Sequence, residues 1–170
     1  MAVEAVRTHQ VPCWSHVIHP IHDSPGRLMS TPATDTIVEE ILRTYNAITV
    51  VGASNATFKA AHYVPRHMQS HGWRIIPVNL HATEILGEPV HPSLADIPEQ
   101  VGLVDVFRPS EATPDIARQA VAAGATALWL QLGIASAQAR EIAESAGLLY
   151  VEDRCLIVEQ RRLRLDAPSR

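Results

Sequence analysis

The chain has 170 residues, a size that suits one domain with a full core. Its formal net charge of -4 gives no general attraction to nucleic acid or to an anionic membrane surface. No apolar run approaches the ~18 residues of a membrane-spanning helix. Cys13 and Cys155 lie far apart and make no disulfide framework, so a reducing cytoplasm is the expected compartment.

Residues 1–33 stand apart. They contain Pro12, Pro20, Pro25 and Pro32 and show no amphipathic period, which predicts a flexible arm. The first residues lack the charged start and apolar core of a signal peptide, and Met29 offers an alternative start to the chain. Cys13, His16, His19 and His22 recur at every third position, and four such ligands could close a tetrahedral zinc site. Zinc spacings instead pair two ligands and leave a long gap, and Pro12 and Pro20 prevent one regular helix, so no metal site is expected.

Order is expected from Thr34. Thr36 and Glu39 fit a capping box, and Ile37, Val38, Ile41, Leu42 and Tyr45 share one helical face. Ile48, Val50 and Val51 predict a short buried strand, which Gly52 ends. Gly52, Ala53 and Ser54 form a turn of small residues, followed by Lys59 at a helix start. A strand, a Gly turn and a helix N-terminus together make a site for phosphate. The turn is a poor match to a dinucleotide fingerprint, because Gly52 stands alone and Asn79 after the next strand has no acid beside it.

Tyr63, Val64, His67, Met68 and His71 predict the next helix, with Pro65 placed in its first turn. His62, His67 and His71 are expected to pack at the edge of the core rather than to hold a metal. Trp73 to Val78 is a second strand, with Pro77 near its end, and Gly87 to His91 reads as a turn and a short extended piece. Leu94 to Pro98 reads as one helical turn and Leu103 to Phe107 as the third strand. Thr113 is expected to cap a helix that opens on Pro114. Ala127 to Leu132 is the fourth strand, Ser136 caps a helix, and Leu148 to Val151 is the fifth strand. The charged stretch from Arg161 is expected to leave the core, with residues 164–170 a tail.

Strand and helix alternate, and each strand is a nearly continuous apolar run. The predicted fold is α/β: a three-layer, Rossmann-like sandwich with a mainly parallel sheet of about five strands, spanning residues 34–163. In such sheets ligands lie beyond the strand C-terminal ends. That places Gly52 to Lys59, Pro77 to Leu80, Phe107 to Pro109, Gln131 to Gly133, and Asp153 to Cys155 around one site.

Those segments also carry a resemblance. The GAS turn with its following Lys59, AHYVPR at Ala61 to Arg66, IPVN at Ile76 to Asn79, DVFRP at Asp105 to Pro109, LWLQLG at Leu128 to Gly133 and DRCLIVE at Asp153 to Glu159 occur in this order. Together they resemble the small bacterial CoA-binding proteins, which are similar in fold to the N-terminal domain of the succinyl-CoA synthetase α subunit. The likeness runs from about Thr34 to Leu163. It implies a Rossmann-like domain that binds coenzyme A or an acyl-CoA through Gly52, Ala53, Ser54, Lys59, Pro77, Val78, Asn79, Phe107, Arg108 and Pro109. Gln131, Gly133 and Cys155 complete the expected set on topological grounds. Backbone N–H groups suit the pyrophosphate of such a ligand, Lys59 or Arg108 its 3′-phosphate, and a wall of Phe107 and Pro109 its adenine. The synthetase also needs a phosphorylated His in a second domain, which has no counterpart here, so a binding protein without a catalytic centre is expected. The alternatives are an NAD(P)-using or acyl-CoA-processing enzyme, or a thiol-redox regulator acting through Cys155. The oligomeric state is not legible.

Overall fold

The computed structural model describes residues 32–169. Residues 1–31, all but the last two of the expected arm and including its Cys13, His16, His19 and His22 spacing, lie outside them.

The chain opens with helix α1 (Pro32–Thr44), which buries Val38, Ile41 and Leu42 completely. Thr36 and Glu39 lie inside this helix, not at its start, so the expected capping box does not form. Glu39 instead pairs with Arg43 one turn on. Strand β1 (Ala47–Val51) follows, then helix α2 (Ala60–Ser70), strand β2 (Arg74–Val78) and a small hairpin of β3 (Glu84–Ile85) and β4 (Glu88–Pro89). Leu86 and Gly87 both have positive φ, 56° and 77°, which is the backbone a two-residue hairpin turn requires. The helical turn expected from Leu94 is a short 3-10 turn, Leu94–Asp96. The chain continues with β5 (Leu103–Val106), α3 (Thr113–Ala122), β6 (Ala127–Leu130), α4 (Ala137–Ser145), β7 (Leu149–Val151) and α5 (Leu156–Leu163).

Five strands form one parallel sheet in the order β2-β1-β5-β6-β7. Pro77 is tolerated in β2 because that strand lies at the sheet edge, where a missing N–H breaks no ladder. Side chains alternate across the sheet. One set, with Ile48, Val50, Leu103 and Trp129, meets α1, α2 and α5. The other, with Val78, Val104, Val106, Leu128 and Leu130, meets α3 and α4. The result is the expected three-layer, Rossmann-like sandwich.

Three local expectations are corrected. Pro65 is the sixth residue of α2, not in its first turn. Its ring removes the N–H that would bond the Ala61 carbonyl, and the N–H of Ser54 takes that acceptor instead, at 3.1 Å. Thr113 is the first residue of α3, and its hydroxyl donates to the Ser110 carbonyl oxygen (2.7 Å) rather than capping the helix. The chain does not leave the core at Arg161. Helix α5 continues to Leu163, and Leu163, Leu165 and Ala167 pack against the core. The N–H of Ala167 donates to the His71 carbonyl oxygen (2.9 Å). The other expected cap forms: the Ser136 side chain accepts from the Ala139 N–H at 3.2 Å.

Candidate functional site

The sheet order places the start of the chain's path in the middle. From β1 the chain steps outward to β2, then returns to β5 on the other side of β1. The C-terminal ends of β1 and β5 therefore open a crevice between diverging connections. Gly52 ends β1 with φ +88° and lies against the start of the loop after β5. A Cβ there would come 2.9 Å from Arg108 Cδ and 3.0 Å from the Phe107 carbonyl oxygen. Hydrogen bonds from Gly52 N–H to Val78 O (3.0 Å) and from Phe107 N–H to Val51 O (2.9 Å) hold this ridge rigid.

The turn after Gly52 is tied to two neighbours. Asn79 Nδ2 donates to Ala53 O (2.9 Å), while its Oδ1 accepts from the N–H groups of His81 (2.7 Å) and Ala82 (3.1 Å). On the other side, the Nδ1–H of His62 donates to Ser54 O at 2.8 Å. Asn55 Nδ2 donates to Glu84 O (2.9 Å), which anchors the tip to the hairpin. Lys59 caps α2 through its backbone alone. Among the described residues, no acceptor is engaged by the N–H groups of Ala60 and Ala61, the first two of that helix. An anion placed there would meet two free donors and the positive end of the helix dipole.

Two chambers flank the ridge. The pleat separates them: successive side chains of a strand point to opposite faces, so Phe107 and Arg108 emerge on different sides. The chamber on the α3 side, about 440 Å³, is lined by Gly52, Val78, Asn79, His81, Arg108 and residues of α3. Arg108 is exposed and has no acidic partner among the described residues, whereas Asp115 across the chamber is paired with Arg118. The chamber on the α2 side, about 430 Å³, is lined by Lys59, Tyr63, Phe107, Gln131, Leu132 and Cys155, with small residues of α2 between them. Lys59 and Arg108, expected as alternatives for one phosphate, thus line different chambers.

The remaining expected residues support rather than line. Ala53 and Pro77 are buried. Ser54 accepts from the Ala56 N–H and shapes the turn. Pro109 starts the short 3-10 turn before α3. Gly133, with φ +80°, donates its N–H to Asp153 Oδ1 (2.7 Å), which fixes the loop after β6 against the loop after β7. That second loop carries Cys155. It is held by Trp129 Nε1 donating to Arg154 O (2.7 Å) and by Asp153 N–H donating to Ile134 O (3.0 Å).

Beneath the α2-side chamber lies a residue that the motif reading passed over. Asp105 is fully buried in β5, on the face turned toward α2 and α5. Gln131 Nε2 donates to its Oδ1 at 2.8 Å, and Oδ2 has no partner. Burial raises the Asp105 pKa to about 8, more than the bonds from Gln131 and the Val106 backbone lower it. The carboxyl is therefore neutral in most molecules at pH 7. An acid in the middle of an otherwise apolar run was the sequence signal for it. His62, Ala60 and Ala61 were missed as parts of the site because their contribution is made by geometry, not by residue type. His62 and His67 of α2 and His71 just after it each find a carbonyl oxygen (of Ser54, Gln160 and His67 respectively), and the described residues contain no cluster of ligands suited to a metal.

Comparison with known proteins gives the family and the fold. A family model described as a CoA binding domain matches residues 46–161. Uncharacterized protein YneT of Bacillus subtilis is 34% identical over 121 residues, covering 71% of this chain and 90% of that protein. A solved structure of a hypothetical protein from Pyrococcus horikoshii superposes with a TM-score of 0.74 at 36% identity, over 78% of this chain and 93% of that one. The acetyl-coenzyme A synthetase 1 of Ca. Korarchaeum cryptofilum shares the fold over 68% of this chain and 27% of its own length, with a TM-score of 0.58 and 22% identity. With the match spanning the sheet, the Gly52 ridge and both chambers, the chain belongs to the CoA-binding domain family.

Proposed function

We propose that the protein binds coenzyme A or an acyl thioester of it, as a binding protein rather than a catalyst. The adenosine end occupies the α3-side chamber and the thiol end the α2-side chamber. The observation that carries this reading is the pair of chambers meeting at one ridge, with free amides of Ala60 and Ala61 and an unpaired Arg108 beside it. A ligand with a polar, phosphorylated end and a long, mostly apolar arm suits such a pair. The pyrophosphate falls at the ridge and the start of α2, where dipole and donors favour it. Asn79 argues against a nicotinamide dinucleotide. Its Nδ2 and Oδ1 are both bonded to the protein, and the loop after β2 supplies no acid to the chamber wall to accept from a ribose diol.

Arg108 rather than Lys59 is the partner for the 3′-phosphate in this reading, because it shares a chamber with the turn after β2. A hydrogen bond to a charged group contributes about 1.5 to 3 kcal/mol, so dephospho-CoA should bind about 10-fold to 100-fold more weakly than CoA. Calorimetric titration of both ligands tests this. Arg108→Ala should abolish the difference between them, and Lys59→Ala should leave it. Failure of CoA to bind the parent protein would overturn the function, and equal affinity for the two ligands would remove the phosphate assignment. NADP should compete poorly with CoA.

A further inference from the structure

We infer that the far end of the α2-side chamber, beside Leu132, is a subsite for the alkyl chain of a neutral aliphatic acyl group, so that the protein prefers an acyl-CoA to free CoA. The inference rests on the proposed ligand and names the class of thioester it carries.

The chamber has a direction. At one end its wall is Lys59, Ala60 and Ala61, the residues that open α2. At the other end it is Leu132 and Cys155, on the loops after β6 and β7. Phe107, from the loop after β5, stands between them. In the sheet order β2-β1-β5-β6-β7 the path therefore runs from the loop after β1 toward the far edge of the sheet. An arm whose phosphates sit at the free amides of Ala60 and Ala61 points its sulfur, and whatever the sulfur bears, toward Leu132.

The wall along that path is mostly carbon, from Val64, Phe107, Leu132 and Ile134 among others. Lys59 is its one cation among the described residues, and it stands at the end where the pyrophosphate is proposed. Gln131 has its donor nitrogen committed to Asp105 Oδ1 at 2.8 Å. The far end thus offers methylenes a dry surface and offers a second negative charge no cation.

The rim is a separate observation that points to the same occupant. Leu132 is 68% exposed, and Val158, three residues on from Cys155, is exposed too. On the α2 side of the chamber Tyr63 and Phe58, the latter next to Lys59, are also exposed. Single exposed apolar side chains are ordinary, but a group of them continuous with an apolar chamber marks a ligand groove. The chamber begins at anion donors and ends in carbon, so its occupant is an anion that trails an apolar chain. A chain that continues past the sulfur covers Leu132, and a free thiol leaves it wet.

The test titrates the full chain by calorimetry with CoA, acetyl-CoA, hexanoyl-CoA and adipoyl-CoA, the last a six-carbon chain that ends in a carboxylate. Burying a methylene raises affinity by up to about 4-fold, and the open rim leaves part of the chain wet. Hexanoyl-CoA should therefore bind roughly 10-fold or more tighter than acetyl-CoA, with a more negative heat-capacity change. Adipoyl-CoA should bind roughly 10-fold more weakly than hexanoyl-CoA, because its carboxylate loses water and gains no cation. Leu132→Ser, at a position 68% exposed, removes no core packing. It should cut the ratio of hexanoyl-CoA to acetyl-CoA affinity by about 3-fold or more. Equal affinity for CoA, acetyl-CoA and hexanoyl-CoA sinks the subsite and leaves the proposed ligand standing, whereas no binding of any of the four sinks both. Adipoyl-CoA binding as tightly as hexanoyl-CoA overturns the neutral class, and a ratio unchanged in Leu132→Ser overturns the location. Light scattering covers the other occupant: a dimer that Leu132→Ser dissolves and hexanoyl-CoA does not would assign the rim to a second copy of the chain.

Discussion

Asp105→Asn is expected to stabilise the protein at pH 7 by about 4 kcal/mol, since one pKa unit corresponds to about 1.36 kcal/mol. Its cause is the raised pKa of the buried carboxyl, about 8 against an ordinary 3.8. Between pH 4 and 8 the unfolded chain has already lost a proton that the fold retains. Stability therefore falls as pH rises through this window, and the loss is complete only above the folded-state pKa. Asparagine has the shape of the protonated acid and keeps an oxygen to accept from Gln131 Nε2, but it titrates in neither state. The two proteins should match near pH 4 and diverge steadily up to pH 8. Urea unfolding of both across that range measures the difference. A parent whose stability is flat from pH 5 to 8, or an Asn variant less stable throughout, would show that the carboxyl is ionised and compensated in the fold.

Asp105 also links stability to the site. Its Oδ1 orients Gln131, and Gln131 forms the wall that faces Cys155. A carboxyl with one bonded oxygen and one orphan is an expensive way to hold an amide. Such local costs concentrate where a ligand or a step depends on them. The Asn variant retains the orienting oxygen and leaves Gln131 in place, so its CoA affinity should stay within a factor of about 2 of the parent.

How far the sequence disclosed this molecule depends on the kind of signal. Short β-branched runs ending in Gly, such as Ile48 to Gly52, place the strands well, because a fully buried parallel strand has few other ways to read. Sheet and layers followed from their alternation with helices. Ends of helices were less legible. Thr36 with Glu39 and Thr113 with Pro114 are proper capping patterns, but tertiary packing of Val38 and Ile116 starts each helix one or more residues earlier. Helix α5 was hidden because Glu159 and Gln160 look solvated. In the fold Glu159 is buried between Arg154 and Arg162, each at 2.7 Å, and Gln160 joins His67 to the chain end. No local pattern discloses a partner 93 residues away. For the site, topology alone indicated which loops meet around the Gly52 ridge. It could not tell which side of the sheet each side chain takes, and that separates Phe107 from Arg108 and Lys59 from Arg108.

Gly52→Ala is expected to lose CoA binding by 100-fold or more, on the order of 3 kcal/mol, and to lower stability as well. Two costs combine at this position. The backbone has φ +88°, where an L side chain costs about 1 to 2 kcal/mol. The new Cβ would also lie 3.0 Å from the Phe107 carbonyl oxygen and 2.9 Å from Arg108 Cδ. Arg108 can swing aside, but doing so removes it from the α3-side chamber. The Phe107 carbonyl cannot move freely, because the Phe107 N–H is bonded to Val51 O and fixes β5 against β1. The ridge must then open where the pyrophosphate is proposed to lie. Gly87→Ala provides the comparison. Its φ is +77°, yet a Cβ there meets nothing within 4 Å. That variant should show the backbone cost alone and bind CoA as the parent does. Thermal melts and titrations of the three proteins separate the terms. Parent-like CoA affinity in a folded Gly52→Ala protein would show that the ridge is not where the ligand crosses the sheet.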